Sequence, residues 1–216
     1  MLVLPGDDSW RVRVVPNLYP AFARQEVVVH TPEHHRSLAD LADEQLALVA
    51  EAWRRRRVEV PDGYLHALVN EGRVAGSSLP HTHSQLVWLP EPPPETQHPV
   101  DRSSWQVVDE RDGLILACPW ASRVPYECVI APAEPEREGF GAGLGPALAL
   151  LADAIRRLQA TAGAVPLNAW LHDSPDWHIE LVPRLSILAG VELGAGWWIN
   201  ALPPEEAAAA LKAAQH

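Results

Sequence analysis

Apolar positions in the first hundred residues change their period several times, and each change marks a predicted element. Residues 10–15 (WRVRVV) alternate apolar and basic side chains, which predicts a strand with one solvent-facing side. The apolar run at 86–89 (LVWL) is continuous, as in a strand covered on both faces. Apolar residues at helical spacing predict an amphipathic helix over 37–57. The other predicted strands of this half cover residues 26–30 and 64–70.

The second half of the chain repeats this order of elements about 100 positions later. Its matching segments are residues 114–119, 127–132, 144–158, 167–172 and 178–182. The order strand, strand, helix, strand, strand predicts an α+β fold with two tandem halves, each an antiparallel sheet with a crossing helix. We expect the halves to span residues 1–91 and 104–216, with a proline-rich linker over 92–103.

The end of the chain adds two predicted elements outside the repeat. Residues 197–200 (WWIN) predict a strand. Pro203 and Pro204 open the last predicted helix, and the carboxylates that follow lie where a helix N-terminus favours negative charge.

Composition narrows the class of protein. The chain has 216 residues, 47% hydrophobic and 21% charged, as in an ordinary globular protein with a sizeable core. The N-terminus lacks the pattern of a signal peptide and no apolar run reaches membrane-spanning length, so we expect a cytoplasmic protein that does not engage a membrane. Cys118 and Cys128 lie in apolar, strand-like contexts and are expected to be buried thiols, with a disulfide between them left open.

The charge balance argues against nucleic acid as a partner. Lys and Arg number 17 against 28 Asp and Glu, for a net charge of −11. The basic run at 54–57 is better explained by the end of a helix, where cations are favoured and face solvent. The single lysine, with abundant alanine, arginine and proline, suggests a GC-rich bacterial genome.

Residues 70–90 (NEGRVAGSSLPHTHSQLVWLP) concentrate the candidate chemistry. On a strand, His81, His83 and Gln85 would project to one face. Gly76 and the serines after it supply a turn whose N–H groups and hydroxyls suit an anion. Two imidazoles and an amide beside a phosphate cradle indicate nucleophilic chemistry at phosphorus. From spacing alone, a site for catalysis or metal binding and a purely structural role for these histidines remain equal alternatives.

The motif HTHSQ resembles the His-x-His-x-Gln motif of galactose-1-phosphate uridylyltransferases, a branch of the histidine-triad (HIT) superfamily. Residues 17–21 (NLYPA) resemble that family's Asn-Asp-Phe-Pro-Ala nucleotide segment, and residues 31–34 (TPEH) its Ser-Pro-Asp-His turn. The resemblance extends from about residue 11 to residue 211, in shortened form. It implies a HIT-like fold and a nucleotidyltransferase of galactose metabolism.

The resemblance assigns roles residue by residue. His83 would be the nucleophile, because neutral imidazole attacks phosphorus without first losing a proton. Gln85 would bind a phosphoryl oxygen and, having no proton to give, would favour transfer between phosphates over hydrolysis. Ser78 would assist at the phosphate. The other substrate contacts implied by the resemblance are Asn17, Asn70, Gly76, Ser77 and Glu192.

The expected substrates are a nucleotide-sugar and a sugar 1-phosphate. Leu18 stands where the family has an aspartate, which leaves the base open and keeps an ADP-glucose or dinucleoside-polyphosphate phosphorylase, with phosphate as acceptor, as the alternative. A nucleotide-binding protein without turnover is a third. Similar enzymes are dimers with shared sites, so a homodimer is expected.

The family's zinc is the only cofactor that the resemblance implies, and no organic cofactor is expected. Zinc prefers four nitrogen or sulfur ligands, and the family combines two histidines with a Cys-x-x-Cys pair. His34 and His81 match the histidines, and the cysteine pair has no counterpart. A second site would use His178 with Glu180 in the position of a histidine. Because the second half has no Gly-Ser-Ser turn and lacks one histidine, we expect it to shape the pocket without reacting.

Overall fold

A computed structural model describes residues 1–5, 9–97 and 100–214. Ten strands form one antiparallel sheet in the order β1-β2-β3-β5-β4-β9-β10-β8-β7-β6. The strands are β1 (Leu2–Leu4), β2 (Val12–Pro16), β3 (Gln25–Val29), β4 (Tyr64–Glu71), β5 (His83–Leu89), β6 (Gln106–Arg111), β7 (Leu114–Cys118), β8 (Cys128–Pro132), β9 (Leu167–His172) and β10 (His178–Pro183). The helices are α1 (Asp43–Glu59), α2 (Leu144–Ala162), α3 (Gly190–Ala195) and α4 (Pro204–Ala213).

The two halves have the repeated order that the sequence predicts. In each half the two strands before the long helix and the two after it take the same places in the sheet, so that β2, β3, β5 and β4 correspond to β7, β8, β10 and β9. The halves do not form two separate sheets, because β4 pairs with β9 and joins them edge to edge. The α+β, HIT-like architecture is confirmed, whereas the domain limits at 91 and 104 stay a prediction. Residues 98 and 99 of the predicted linker lie outside the described residues.

One face of the sheet carries the helices and the core. Helices α1 and α2 pack on each other, and α4 packs on α2, β6 and β7. Val28, Leu65 and Leu86 are fully buried beneath them. On β5 the Ser84 hydroxyl accepts a hydrogen bond from Trp53 Nε1 of α1, at 2.9 Å. Because side chains alternate along a strand, the neighbours of Ser84 project to the opposite, helix-free face.

Three local predictions are corrected. The helix expected over 37–57 begins at Asp43, because a short 3₁₀ turn capped by Ser37 comes first and Leu41 and Ala42 are extended. Residues 197–200 form no strand; they follow α3 as irregular chain. The basic run at 54–57 does not face solvent throughout, since Arg56 is 8% exposed and ion-paired with Glu26.

Two other expectations agree with the structure. Cys118 and Cys128 are buried free thiols whose sulfur atoms lie 3.9 Å apart across β7 and β8. The last helix begins at Pro204, as the proline and carboxylate pattern predicts. In the described part of the chain, no helix has the length and apolar character that a membrane span needs.

Candidate functional site

His83 begins β5 on the helix-free face, and its ring is fixed by one hydrogen bond. The ring nitrogen Nδ1 lies 2.8 Å from the carbonyl oxygen of His81. A carbonyl only accepts, so Nδ1 carries the proton and Nε2 keeps its lone pair. The residue is 5% exposed, so the surrounding protein restricts the movement of the ring. This is the tautomer and the free nitrogen that a phosphorus nucleophile needs.

Gln85 lies two residues further on the same face, and a partner that the sequence reasoning missed sets its orientation. Its Oε1 accepts a hydrogen bond from Nε2 of Gln25, on the neighbouring strand β3, at 2.5 Å. The Gln25 Oε1 in turn accepts from the backbone N–H of Ala21 at 2.9 Å. Since that backbone group can only donate, the Gln25 amide has one possible orientation, and so has the Gln85 amide facing it. The NH₂ group of Gln85 is therefore left to donate.

The glycine-serine turn connects β4 to β5 directly before His83. Gly72 and Gly76 adopt positive φ of 81° and 89°, which a side chain would disfavour. The Ser77 hydroxyl donates to the carbonyl of Leu79 at 2.9 Å, so it stabilises the turn, while Ser78 is exposed. The turn lines a cavity of about 710 Å³. The expected phosphate cradle is thus an open cavity beside the start of β5.

Asn70 is placed beside this turn by a neighbour from the second half. Asn70 pairs in register with Asn168 on β9, whose Nδ2 donates to Asn70 Oδ1 at 2.7 Å and to the Ala75 carbonyl at 2.8 Å. With its oxygen occupied, Asn70 presents its Nδ2 towards Gly76. Asn168 also accepts from Arg184 at 3.3 Å, so the second half supports the first-half site.

Asn17 lies in the loop after β2, at a separate cavity of about 460 Å³ that Gln25 also lines. Its Oδ1 accepts from the N–H of Tyr19 at 3.0 Å, which leaves the amide nitrogen available. Leu18 and Tyr19 are 79% and 85% exposed. Through Gln25 this loop is hydrogen-bonded to Gln85.

Glu192 lies in the first turn of α3. Its carboxylate accepts from the backbone N–H of Ala189 at 3.0 Å and so caps the short helix. Exposed apolar side chains flank it, including Leu193 and Trp197, which are 73% and 74% exposed. The structure gives Glu192 a local capping role, and its contact with a hexose stays a prediction.

His34 and His81 meet as the zinc expectation requires, with Nδ1 atoms 3.4 Å apart. His81 precedes β5 and its Nε2 donates to the carbonyl of Thr31 at 2.9 Å, so its Nδ1 keeps a lone pair. Within the described residues no further His, Cys, Asp or Glu completes a set of three around this pair. Two nitrogens leave a tetrahedral zinc half coordinated.

The second half contains a fuller donor set, made of His172, His178 and Glu180, whose ligand atoms lie within 4.8 Å of one another. His178 repeats the His83 geometry, with Nδ1 donating to the carbonyl of Asp176 at 3.1 Å. The set of two imidazoles and a carboxylate suits a divalent cation. His172 was not among the expected ligands, although it ends the segment that repeats residues 65–70.

Charge around this donor set differs from that around His83. Burial by itself raises the pKa of Glu180, but the neighbouring His172 and His178 and the positive charge of Arg123 lower it well below its usual range. The site therefore holds an anion where the first half has the neutral Gln85. A carboxylate at this position repels phosphate, and the absence of reaction in the second half stays a prediction.

His30 lies behind the motif on the helix side. It is fully buried, its Nδ1 lies 3.0 Å from the Thr82 hydroxyl, and its Nε2 has no hydrogen-bond partner. Burial, with the nearby His83 and His81, lowers the pKa of His30 to about 3. A neutral ring at this position adds no positive charge next to the nucleophile.

Comparisons with known proteins show what the chain is similar to. The family model "Galactose-1-phosphate uridyl transferase, N-terminal domain" matches residues 18–91, which include the motif. An ADP-glucose phosphorylase from Arabidopsis thaliana is 25% identical over 266 residues, 95% of this chain and 75% of that protein. A galactose-1-phosphate uridylyltransferase from Thermotoga maritima is 25% identical over 235 residues, 87% of this chain and 73% of that protein.

The fold comparison adds a solved structure of an ADP-glucose phosphorylase from Arabidopsis thaliana with bound ADP-glucose. It superposes with a TM-score of 0.90 at 24% identity and covers 98% of this chain and 85% of that one. The chain has the HIT-like fold of galactose-1-phosphate uridylyltransferase-like proteins, and residues 18–91 match that family's model. These similarities support a nucleotidyltransferase.

Proposed function

We propose that this uridylyltransferase-like chain moves a nucleoside monophosphate from a nucleotide-sugar to a second phosphate through a nucleotidyl-His83 intermediate. The observation that carries the proposal is the His83 ring itself: Nδ1 donates to the His81 carbonyl at 2.8 Å and leaves Nε2 as the nucleophile. The similarity to this family supports the same chemistry.

In the first step the Nε2 lone pair attacks the α-phosphorus, and the bond from that phosphorus to the oxygen of the departing sugar phosphate breaks. The electron pair leaves with that oxygen, and the His81 carbonyl stabilises the positive charge that develops on the ring. The NH₂ group of Gln85, fixed by Gln25, donates to a non-bridging oxygen as charge accumulates. No acid is needed, because a phosphate is already a weak base. In the second step an acceptor phosphate oxygen displaces Nε2.

The donor and acceptor define two candidate reactions. One is uridylyl transfer from a UDP-hexose to a hexose 1-phosphate; the other is phosphorolysis of an ADP-sugar by inorganic phosphate. Two observations favour the second. The exposed Leu18 offers no carboxylate to a base, and the similarity to an ADP-glucose phosphorylase extends over 95% of the chain.

A labelling experiment tests the proposal. The protein is incubated separately with UDP-glucose and ADP-glucose that carry ³²P at the α-position, and then quenched in acid or in alkali. We expect a label that is lost in acid and kept in alkali, as a phosphoramidate is, and the donor that gives it identifies the base.

The variants His83→Ala and His178→Ala locate the nucleophile between the two repeated halves. Loss of the label in His83→Ala alone is the expected result. A label that survives in His83→Ala would refute the assignment of His83 as the nucleophile. If neither donor labels the wild type, a binding protein without turnover is favoured.

Four further expectations stay predictions: bound zinc, a homodimer, a role in galactose metabolism and a cytoplasmic location. The first two are directly measurable, by elemental analysis of the purified protein and by sedimentation equilibrium.

A further inference from the structure

The cavity beside the glycine-serine turn contains two arginines that the sequence reasoning did not single out. Arg36 and Arg73 line it together with Gly72, Gly76, Ser77, Ser78, Leu79 and Pro80. Arg36 comes from the connection between β3 and α1, and Arg73 from the connection between β4 and β5. Among the residues that the structure describes, they are the only charged ones that line it. The cavity is therefore cationic in a chain of net charge −11.

These two guanidinium groups are unpaired, which is unusual in this protein. Most of the arginines form an ion pair, a hydrogen bond or a contact with an aromatic ring, as Arg56 does with Glu26. In the described part of the chain the Arg36, Arg73 and Arg137 side chains have none of these contacts. Two of these three line the same cavity. Two like charges without counter-charges leave the cavity ready for an anion, and guanidinium groups bind phosphate through two parallel hydrogen bonds.

The cavity is also tied to the nucleophile by the backbone. The N–H of Thr82, the residue before His83, donates to the carbonyl of His35 at 2.8 Å, and Arg36 follows directly. On the other side, the turn that begins at Arg73 leads into β5. Both arginines thus belong to segments anchored at the start of the motif strand.

We infer that Arg36 and Arg73 form the subsite for the acceptor phosphate. This inference rests on the proposed nucleotidyl transfer. An acceptor held there would direct one oxygen at the nucleotidyl phosphorus. The new oxygen–phosphorus bond forms as the phosphorus–Nε2 bond breaks, and the electron pair returns to Nε2 of His83. The ligand class is a phosphate dianion, either inorganic or at the end of a sugar 1-phosphate.

The test isolates the second step. Nucleotidyl-enzyme is prepared with the labelled donor, freed of excess donor and mixed with a series of concentrations of inorganic phosphate or of glucose 1-phosphate. The variants are Arg36→Gln and Arg73→Gln, with Arg137→Gln as the matched control that removes one equally unpaired positive charge elsewhere. We expect each cavity variant to raise the half-saturating acceptor concentration by about tenfold or more, as loss of a charge-assisted hydrogen bond does. The control should behave as the wild type, and Arg73→Lys should restore part of the loss.

The outcomes separate the subsite from the chemistry. A wild-type label that discharges with unchanged half-saturation in both cavity variants would overturn the subsite and leave the nucleophile intact. The acceptor whose half-saturating concentration rises most in the variants identifies the source of the phosphate. If no label forms, calorimetric titration of the unlabelled proteins with inorganic phosphate decides: binding lost in the cavity variants and kept in Arg137→Gln supports the subsite, and equal behaviour of all proteins refutes it.

Discussion

The hydrogen bond between Gln25 and Gln85 leads to a sharp prediction, because one substitution should turn the Gln85 amide around. In Gln25→Glu the oxygen that accepts from Ala21 is kept, but the introduced carboxylate cannot donate to Gln85 Oε1. The NH₂ group of Gln85 would then rotate to donate to that carboxylate. Its carbonyl oxygen would face the phosphoryl oxygens and repel them.

The magnitude follows from what the misplaced group does. One preorganised donor at a reacting centre is worth about 3 kcal/mol, so losing it lowers kcat by about 10²-fold. We therefore expect Gln25→Glu to lower the first-order rate of nucleotidyl-enzyme formation about as much as Gln85→Leu does. The assay is rapid quench at saturating labelled donor, with thermal unfolding to verify the fold.

Two variants separate amide orientation from simple repulsion by the added charge. Gln106→Glu makes the same charge change on β6 in the second half and should leave the rate unchanged. The double variant Gln25→Glu/Gln85→Leu should be no slower than Gln85→Leu alone, because the amide is already gone. An equal, additive loss in that background would mean that the charge, and not the amide orientation, slows the reaction, and would refute the reasoning.

Three other predictions concern proton donation at position 85, stability at low pH and metal content. Gln85→His supplies a proton donor, so hydrolysis of the nucleotidyl-enzyme should rise relative to transfer, measured as the ratio of free nucleotide to transfer product; an unchanged ratio counts against the leaving-group argument. His30 has a folded pKa of about 3 against 6.5 for the free side chain, so its contribution is present above pH 6.5 and lost as pH falls towards 3. At pH 4.5 that loss is about 3 kcal/mol, and urea unfolding should show a flatter acid limb in His30→Phe than in the wild type; parallel limbs would contradict it. If the second-half donor set binds a cation, His172→Ala should lower the metal content found by elemental analysis, whereas His34→Ala should not; the reverse would assign the metal to the first half.

The repeated order of elements was predictable because each half encodes it in the same way. The strand containing His83, for instance, has a continuous apolar run after Gln85, and the burial of residues 86–88 follows from that run. The edge-to-edge joining of the halves was not predictable, because it depends on the pairing of Asn70 with Asn168, residues about 100 positions apart. Strand periodicity shows which face a residue occupies but not which strand lies beside it.

The same distinction applies to the site. The motif identified His83 and Gln85 because the two residues lie on one strand, where residues two positions apart share a face. Gln25, Arg36 and Arg73 have no motif, and only the tertiary arrangement shows that they lie at the amide and in the cavity. The strand expected at 197–200 failed for a related reason: an apolar run forms a strand only where the fold places it beside another strand, and these residues follow α3 as irregular chain.

The most direct test of the account is to locate the nucleotidyl group on the labelled protein. Alkaline proteolysis and tandem mass spectrometry identify the modified residue, and ³¹P–¹⁵N correlation on ¹⁵N-histidine protein identifies the nitrogen. We predict a phosphoramidate at Nε2 of His83, because Nδ1 donates a hydrogen bond to the His81 carbonyl. Modification at Nδ1, or at any residue other than His83, would contradict it.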